Sequence, residues 1–140
     1  MVFKQGSNGL RSKLAVSVII LFILVICLVL SLRGSVENNI PVSNMKAAEL
    51  FDHFTKDPAS AYNNLLNEII VVEGKVHSIS GKTICLGFGM RIVRLEFQKR
   101  TFQNLPPVKI GETLVVKGIC HGLDYTEVVI GQSILLAQMD

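Results

Sequence analysis

The chain has 140 residues, of which 49% are hydrophobic, and a formal net charge of +3. The charge is unevenly placed: Lys4, Arg11, Lys13 and Arg33 all precede the first acidic residue, Glu37, so residues 34–140 carry ten basic against eleven acidic side chains. The surplus therefore belongs to the N-terminus. It argues against a domain that binds a phosphate backbone through overall basicity, and leaves open a local basic patch.

Residues 14–32 contain no charged side chain. At about 1.5 Å per residue this run makes roughly 28 Å of helix, close to the thickness of a bilayer's hydrocarbon core. A cleavable signal has a shorter apolar core and small residues at its cut site. The expectation is a transmembrane signal anchor over 14–32, behind an N-terminal segment of residues 1–13. Cys27 lies inside the run, preceded by Ile26 and followed by Leu28, Val29 and Leu30. A lipidated cysteine follows a small residue and ends the apolar core, so Cys27 reads as one more small apolar residue of the span, with lipidation as the alternative. Lys4, Arg11 and Lys13 on one side, against Arg33 and Lys46 on the other, place the N-terminus in the cytoplasm and residues 34–140 outside.

Residues 33–43 read as a linker, polar and broken by Gly34 and Pro41. The rest, 44–140, is the size of one small domain. Apolar residues at three- and four-residue spacing predict a helix over about 44–56, capped by Ser43 or Asn44. Asp57-Pro58 then reads as N-cap and first helical residue of a second helix, about 58–66, burying Ala61, Tyr62 and Leu65. From Glu68 the pattern changes to strands: 68–79, 82–88 and 90–97, then a connection to Lys109 with room for one helical turn, then 113–121 and 126–136. Two short helices followed by three strands, a long connection and two strands is the order of a five-stranded OB-fold barrel. Gly74 and Gly118, both mid-strand, are the expected bends.

The stretches "IIVVEGKVHSIS", "VRLEF" and "IGETLVVKGICHGLDYTEVVIGQSIL", with Val72, Gly74, Val76, Gly111, Val116, Gly118, Cys120 and Gly122, resemble the tRNA_anti-like family of bacterial OB-fold proteins. The resemblance covers about 45–136. It implies an OB fold on a membrane-tethered or lipoprotein-like chain, and suggests nucleic-acid binding by analogy; it brings no catalytic motif.

No catalytic constellation is legible. His53, His77 and His121 lack metal-ligand spacing, and no metal or cofactor is expected. Cys85 and Cys120 would lie on strands that are not neighbours, so two free thiols are read in preference to a disulfide. No G-x-S-x-G, phosphate-binding loop or carboxylate pair is present. The face built by the second and third barrel strands is where OB folds bind, and Lys82, Arg91, Arg94, Lys99 and Arg100 gather there against Glu96. Alternation turns Phe88 and Phe97 inward, leaving Tyr125, in the last hairpin turn, as the exposed ring for stacking. The reading is a non-enzymatic binding or interaction module with an envelope protein as partner. The alternatives are a nucleic-acid or acidic-oligosaccharide binder through the basic residues and Tyr125, and a thiol-dependent redox enzyme.

Overall fold

The computed structural model describes residues 8–31 and 36–140. Lys4, Leu32 and Arg33, which the sequence places at the ends of the span, lie outside the described residues. The chain divides into two units, residues 1–34 and 35–140.

Among the described residues the first unit is one helix, α1 (Asn8–Ser31). Its window Lys13–Leu30 has a mean hydropathy of 3.1 and buries none of its residues within the protein. Large aliphatic side chains are exposed all around it, from Leu14 to Leu30. A helix apolar on every side has no aqueous face, and this one is long and apolar enough to cross a membrane. Cys27 is one of its exposed residues.

The second unit runs β1 (Ser43–Lys46), α2 (Ala47–Lys56), α3 (Pro58–Leu65), β2 (Ile69–Ser80), β3 (Thr83–Phe88), β4 (Arg91–Glu96), α4 (Lys99–Gln103), β5 (Thr113–Asp124) and β6 (Glu127–Met139). The strands pair in the order β1-β2-β3-β4-β6-β5, and β5 returns to β2, which closes a barrel of β2–β6. All its pairings are antiparallel except β4 with β6. This is the OB-fold barrel that the order of elements predicts.

The lead-in differs from expectation. Residues 43–46 are a strand rather than a helix start, paired in parallel with Ile70–Glu73 of β2. Val42 N donates to Ile69 O at 2.9 Å, which carries the extended chain onto the edge of β2. The helix begins at Ala47, and the Glu49 carboxylate accepts from Lys46 N at 3.0 Å, doing at Lys46 what was expected of Ser43 or Asn44. α2 buries Ala47, Leu50 and Phe54. It touches β1, β2, β3, β4 and β6, and so covers one end of the barrel. α3 starts as read: Asp57 accepts from Ser60 N, with Pro58 in the first turn. Tyr62, expected to be buried, is 39% exposed. Its ring edge packs on Phe54, with centroids 5.1 Å apart, while its hydroxyl accepts from Leu123 N at 3.3 Å. One ring thus serves the core and the surface at once.

The two mid-strand glycines answer to packing. The register of β2 breaks between Val76 and Ser78, beyond Gly74. A Cβ at Gly74 would stand 2.9 Å from the Ala47 Cβ, so this position must be small for α2 to dock. At Gly118 a Cβ would stand 2.4 Å from Ile130 Cγ2 and 2.8 Å from Gly131 O, where β5 and β6 are in closest approach.

Candidate functional site

The face made by β3 and β4 is centred on Arg94, which pairs with Cys85 across the strands. β4 runs parallel to β6, with Ile92 opposite Glu127. The tight β5–β6 hairpin, closed by the Asp124–Glu127 pair, therefore delivers two carboxylates beside Arg94. Nη2 lies 2.9 Å from Asp124 Oδ2 and Nη1 lies 3.1 Å from Glu127 Oε2. Nε is 3.3 Å from Glu96 Oε1, without the alignment for a hydrogen bond. The Asp124 hydrogen bond, aided by the charges of Glu96 and Glu127, holds the guanidinium protonated even more firmly than usual. One cation set among three carboxylates has no charge left to offer a phosphate.

Arg91 is also engaged, with Nε 3.3 Å from Asp52 Oδ1 on α2. Lys82 sits in the β2–β3 turn, and Lys99 and Arg100 on α4; all three are exposed. The five basic residues that the sequence gathers into one patch thus fall into two kinds. Two are held by carboxylates, and three project to solvent from the turn and from α4.

Tyr125 is 96% exposed, as expected. Its backbone has a φ of +53°, and Thr126 does not share the positive φ. That is the pattern of a type II′ hairpin, whose first central position favours glycine. The β3–β4 hairpin places Gly89 in the corresponding place, with φ +61°. The expectation for Phe88 is overturned: the ring is 89% exposed. It continues the inward row of Ile84 and Leu86, but at the last position of β3 no element covers it. Gly87 and Gly89 on either side supply no side chain to shelter it. Met90, at the same tip, is 85% exposed. Phe97 is buried as expected, tilted against Phe102 of α4.

Two clefts flank the β3–β4 tip. One, of about 470 Å³, lies between Ala47, Gly74, His77, Phe88 and Ile110. The other, of about 640 Å³, lies between Phe51, Asp52, Met90, Arg91 and Tyr125. Sequence reasoning missed Phe88, Met90 and both clefts; the glycines bracketing Phe88 were the available signal.

Cys85 and Cys120 lie on β3 and β5, separated in the barrel by β2, and are not bonded to each other. Burial pushes both thiols up; a hydrogen bond with Ser78 at Cys85, and one with the Gly122 backbone at Cys120, oppose it only in part. Among the described residues no three His, Cys, Asp or Glu side chains converge as metal ligands.

The closed five-stranded barrel with a hairpin-rimmed β3–β4 face defines an OB-fold protein. Residues 10–134 match the tRNA_anti-like family, and the chain belongs to it. Among solved structures it is similar to a candidate nucleic acid-binding lipoprotein from Klebsiella pneumoniae, at 16% identity and a TM-score of 0.52, over 67% of this chain and 91% of that one. It is also similar to the telomere capping protein Ten1 from S. pombe, at 13% identity and a TM-score of 0.40, over 69% of this chain and 78% of that one. The S. pombe Stn1–Ten1 complex aligns at 12% identity and a TM-score of 0.43, over 74% of this chain and 78% of that one. No curated protein matches the chain.

Proposed function

We propose that the chain is a membrane-anchored, non-enzymatic interaction module. α1 holds it in the bilayer, with the N-terminus in the cytoplasm and the barrel outside. The β3–β4 face and its hairpin tips meet a protein of the envelope. The observation that carries this reading is the state of Arg94, which three carboxylates occupy at the centre of the face. A polyanion brought there would meet a surplus of negative charge. The exposed Phe88, Met90 and Tyr125 offer instead the apolar and aromatic anchors of a protein interface. Arg11 and Lys13, at the N-terminal edge of the uncharged run 14–32, with no acidic residue beside them, support the orientation. The raised thiols speak against redox catalysis, which needs a depressed pKa.

A second reading is favoured by the exposure of Phe88. With Tyr125 it gives two rings for stacking bases, and Lys82, Lys99 and Arg100 are exposed cations for a nucleic acid or an acidic oligosaccharide. The description of the Klebsiella protein points the same way through likeness of fold alone. Fluorescence anisotropy of a labelled single-stranded oligonucleotide decides between the two, with the full chain in nanodiscs of uncharged lipid at low and physiological salt. The interaction-module reading expects no tight binding. Binding that weakens with salt, and is lost when Lys82, Lys99 and Arg100 are changed to Glu, replaces it with the second reading.

A further inference from the structure

The β3–β4 hairpin is paired to its tip, where Phe88 stands opposite Arg91. Arg91 is tied in turn to α2, with Nε 3.3 Å from Asp52 Oδ1. The 89% exposed ring of Phe88 is therefore a knob on a braced support. Beside it lies the cleft of about 470 Å³, lined by Phe88 itself, the 69% exposed Ile110, Ala47, Gly74 and Val76. The space is enough for an aromatic side chain. In an isolated chain both the ring and the cleft face water, the unfavourable state for apolar surface.

The same cleft carries both signs of charge at its rim. Lys46 and Lys75 are exposed, Glu73 is half-buried, and none of the three has an ion pair among the described residues. Lys46 and Glu73 form none although they stand opposite each other in the β1–β2 register. A patch that holds a knob, a hole and unpaired charges of both signs is complementary to itself. A two-fold interface requires that property, because the same patch is used on both copies. A uniformly acidic partner would leave Glu73 facing its own sign, whereas a second copy supplies an opposite for each charge.

We propose that this patch pairs two copies of the chain: each Phe88 enters the other copy's cleft beside Ile110, and Glu73 of each copy faces Lys46 and Lys75 of the other. The pairing goes beyond the interaction-module reading, and it leaves Met90 and Tyr125, which line the other cleft, for the envelope protein. Two exchanged rings bury roughly 300–500 Å². A stable interface buries roughly 1,200–2,000 Å². The dimer is accordingly weak and forms as the copies are concentrated.

Photo-crosslinking tests the pairing on the full-length chain, with benzoylphenylalanine in place of Phe88. Unlabelled and heavy-nitrogen copies are mixed equally in phosphatidylcholine vesicles. Mass spectrometry should find mixed-isotope products that join position 88 to the segments around Ala47 or Ile110, with a yield that rises with the protein-to-lipid ratio. Products confined to one isotope or to lipid, or joining the copies elsewhere, overturn the pairing. Ile110→Asp should lower the mixed yield about tenfold, as loss of a central apolar anchor does; an unchanged yield overturns it. Two charge variants of the crosslinking chain complete the test. Glu73→Lys copies alone should crosslink poorly, and so should copies with Lys46→Glu and Lys75→Glu. A mixture of the two variants should regain products between unlike copies, which also shows that both fold. Equal yields in the three samples, or none in the mixture, overturn the pairing as drawn. The purified chain is the only protein present, so each outcome bears on this pairing and not on the envelope partner.

Discussion

The inward row of β3 and the tip of the same strand obey one alternation and end differently. Ile84 and Leu86 are 1% and 0% exposed, and Phe88, two residues further, is 89% exposed. Period two decides which face of a strand a side chain takes. It does not decide whether an element lies over that face. α2 covers the barrel end inside the tip, and Phe88 stands beyond it. The core of this protein is therefore a matter of register plus cover, and its exposed anchors are the places where register continues and cover stops.

The contrast is broken most directly by truncating both positions. Leu86→Ala removes a fully enclosed side chain and should cost about 2–5 kcal/mol, whereas Phe88→Ala should change stability by less than about 0.5 kcal/mol. Urea denaturation of the two variants measures the difference. A large loss at Phe88 would mean that the ring is covered in solution, and would remove it from the interaction surface.

Gly118 sharpens the same contrast from inside the barrel. Its Cβ would press on Ile130 and on the Gly131 carbonyl, and the carbonyl belongs to a strand that cannot swing aside. Gly118→Ala should cost about 1–3 kcal/mol, as overpacking does. Gly89→Ala, with no atom within 4 Å of its Cβ, meets strain from its positive φ but no clash. Its loss should be smaller, about 1 kcal/mol. Thermal unfolding of the pair ranks the two causes.

Much of this architecture was legible in the residues. The β-branched runs, the turn glycines and the break before Thr113 dictate five strands in OB order, and Asp57-Pro58 marks its helix start outright. β1 was not legible, because SNMK carries no strand pattern of its own; it is extended because β2 offers an open edge. The site was legible by composition and not by state. The sequence names the basic residues but not their surroundings: Lys99 and Arg100 stand on α4, and Arg94 is neutralised by Asp124 and Glu127, thirty or more positions away, which only the parallel β4–β6 register brings near. Lys117, buried on β5, gives no sign in the sequence that its ammonium donates to the Glu37 carbonyl, 80 positions away.

At the other tip the exposed ring carries a backbone cost. Tyr125 is held at φ +53° where a glycine would sit without strain, and its 96% exposed side chain returns no burial. Tyr125→Gly should therefore stabilise the fold, by about 1 kcal/mol, while weakening any partner that uses the ring. Gain of stability with loss of binding identifies a residue kept for contact. Gain of stability with unchanged binding leaves Tyr125 outside the interface.

The smallest expected effect concerns the two thiols, one on each side of the barrel wall. Cys120 is fully buried in the core, and Cys85 is half-buried on the outer face beneath Arg94. Desolvation raises both above the ordinary thiol value of about 8.5. Between that value and the folded one, the native state keeps protons that the unfolded chain has released. The stability contribution is then full below about pH 8.5 and declines as the pH rises through the shifted range. Stability measured by denaturant from pH 7 to 10 should fall in that window, and the slope should flatten in a Cys85→Ser, Cys120→Ala variant even if its absolute stability is lower. Thiol labelling at pH 8 should be slow at Cys85 and should wait for unfolding at Cys120. Rapid labelling of folded protein at Cys85 would mean an open, ionised thiol on the β3–β4 face. That outcome would return a thiol-dependent chemistry to the list of readings.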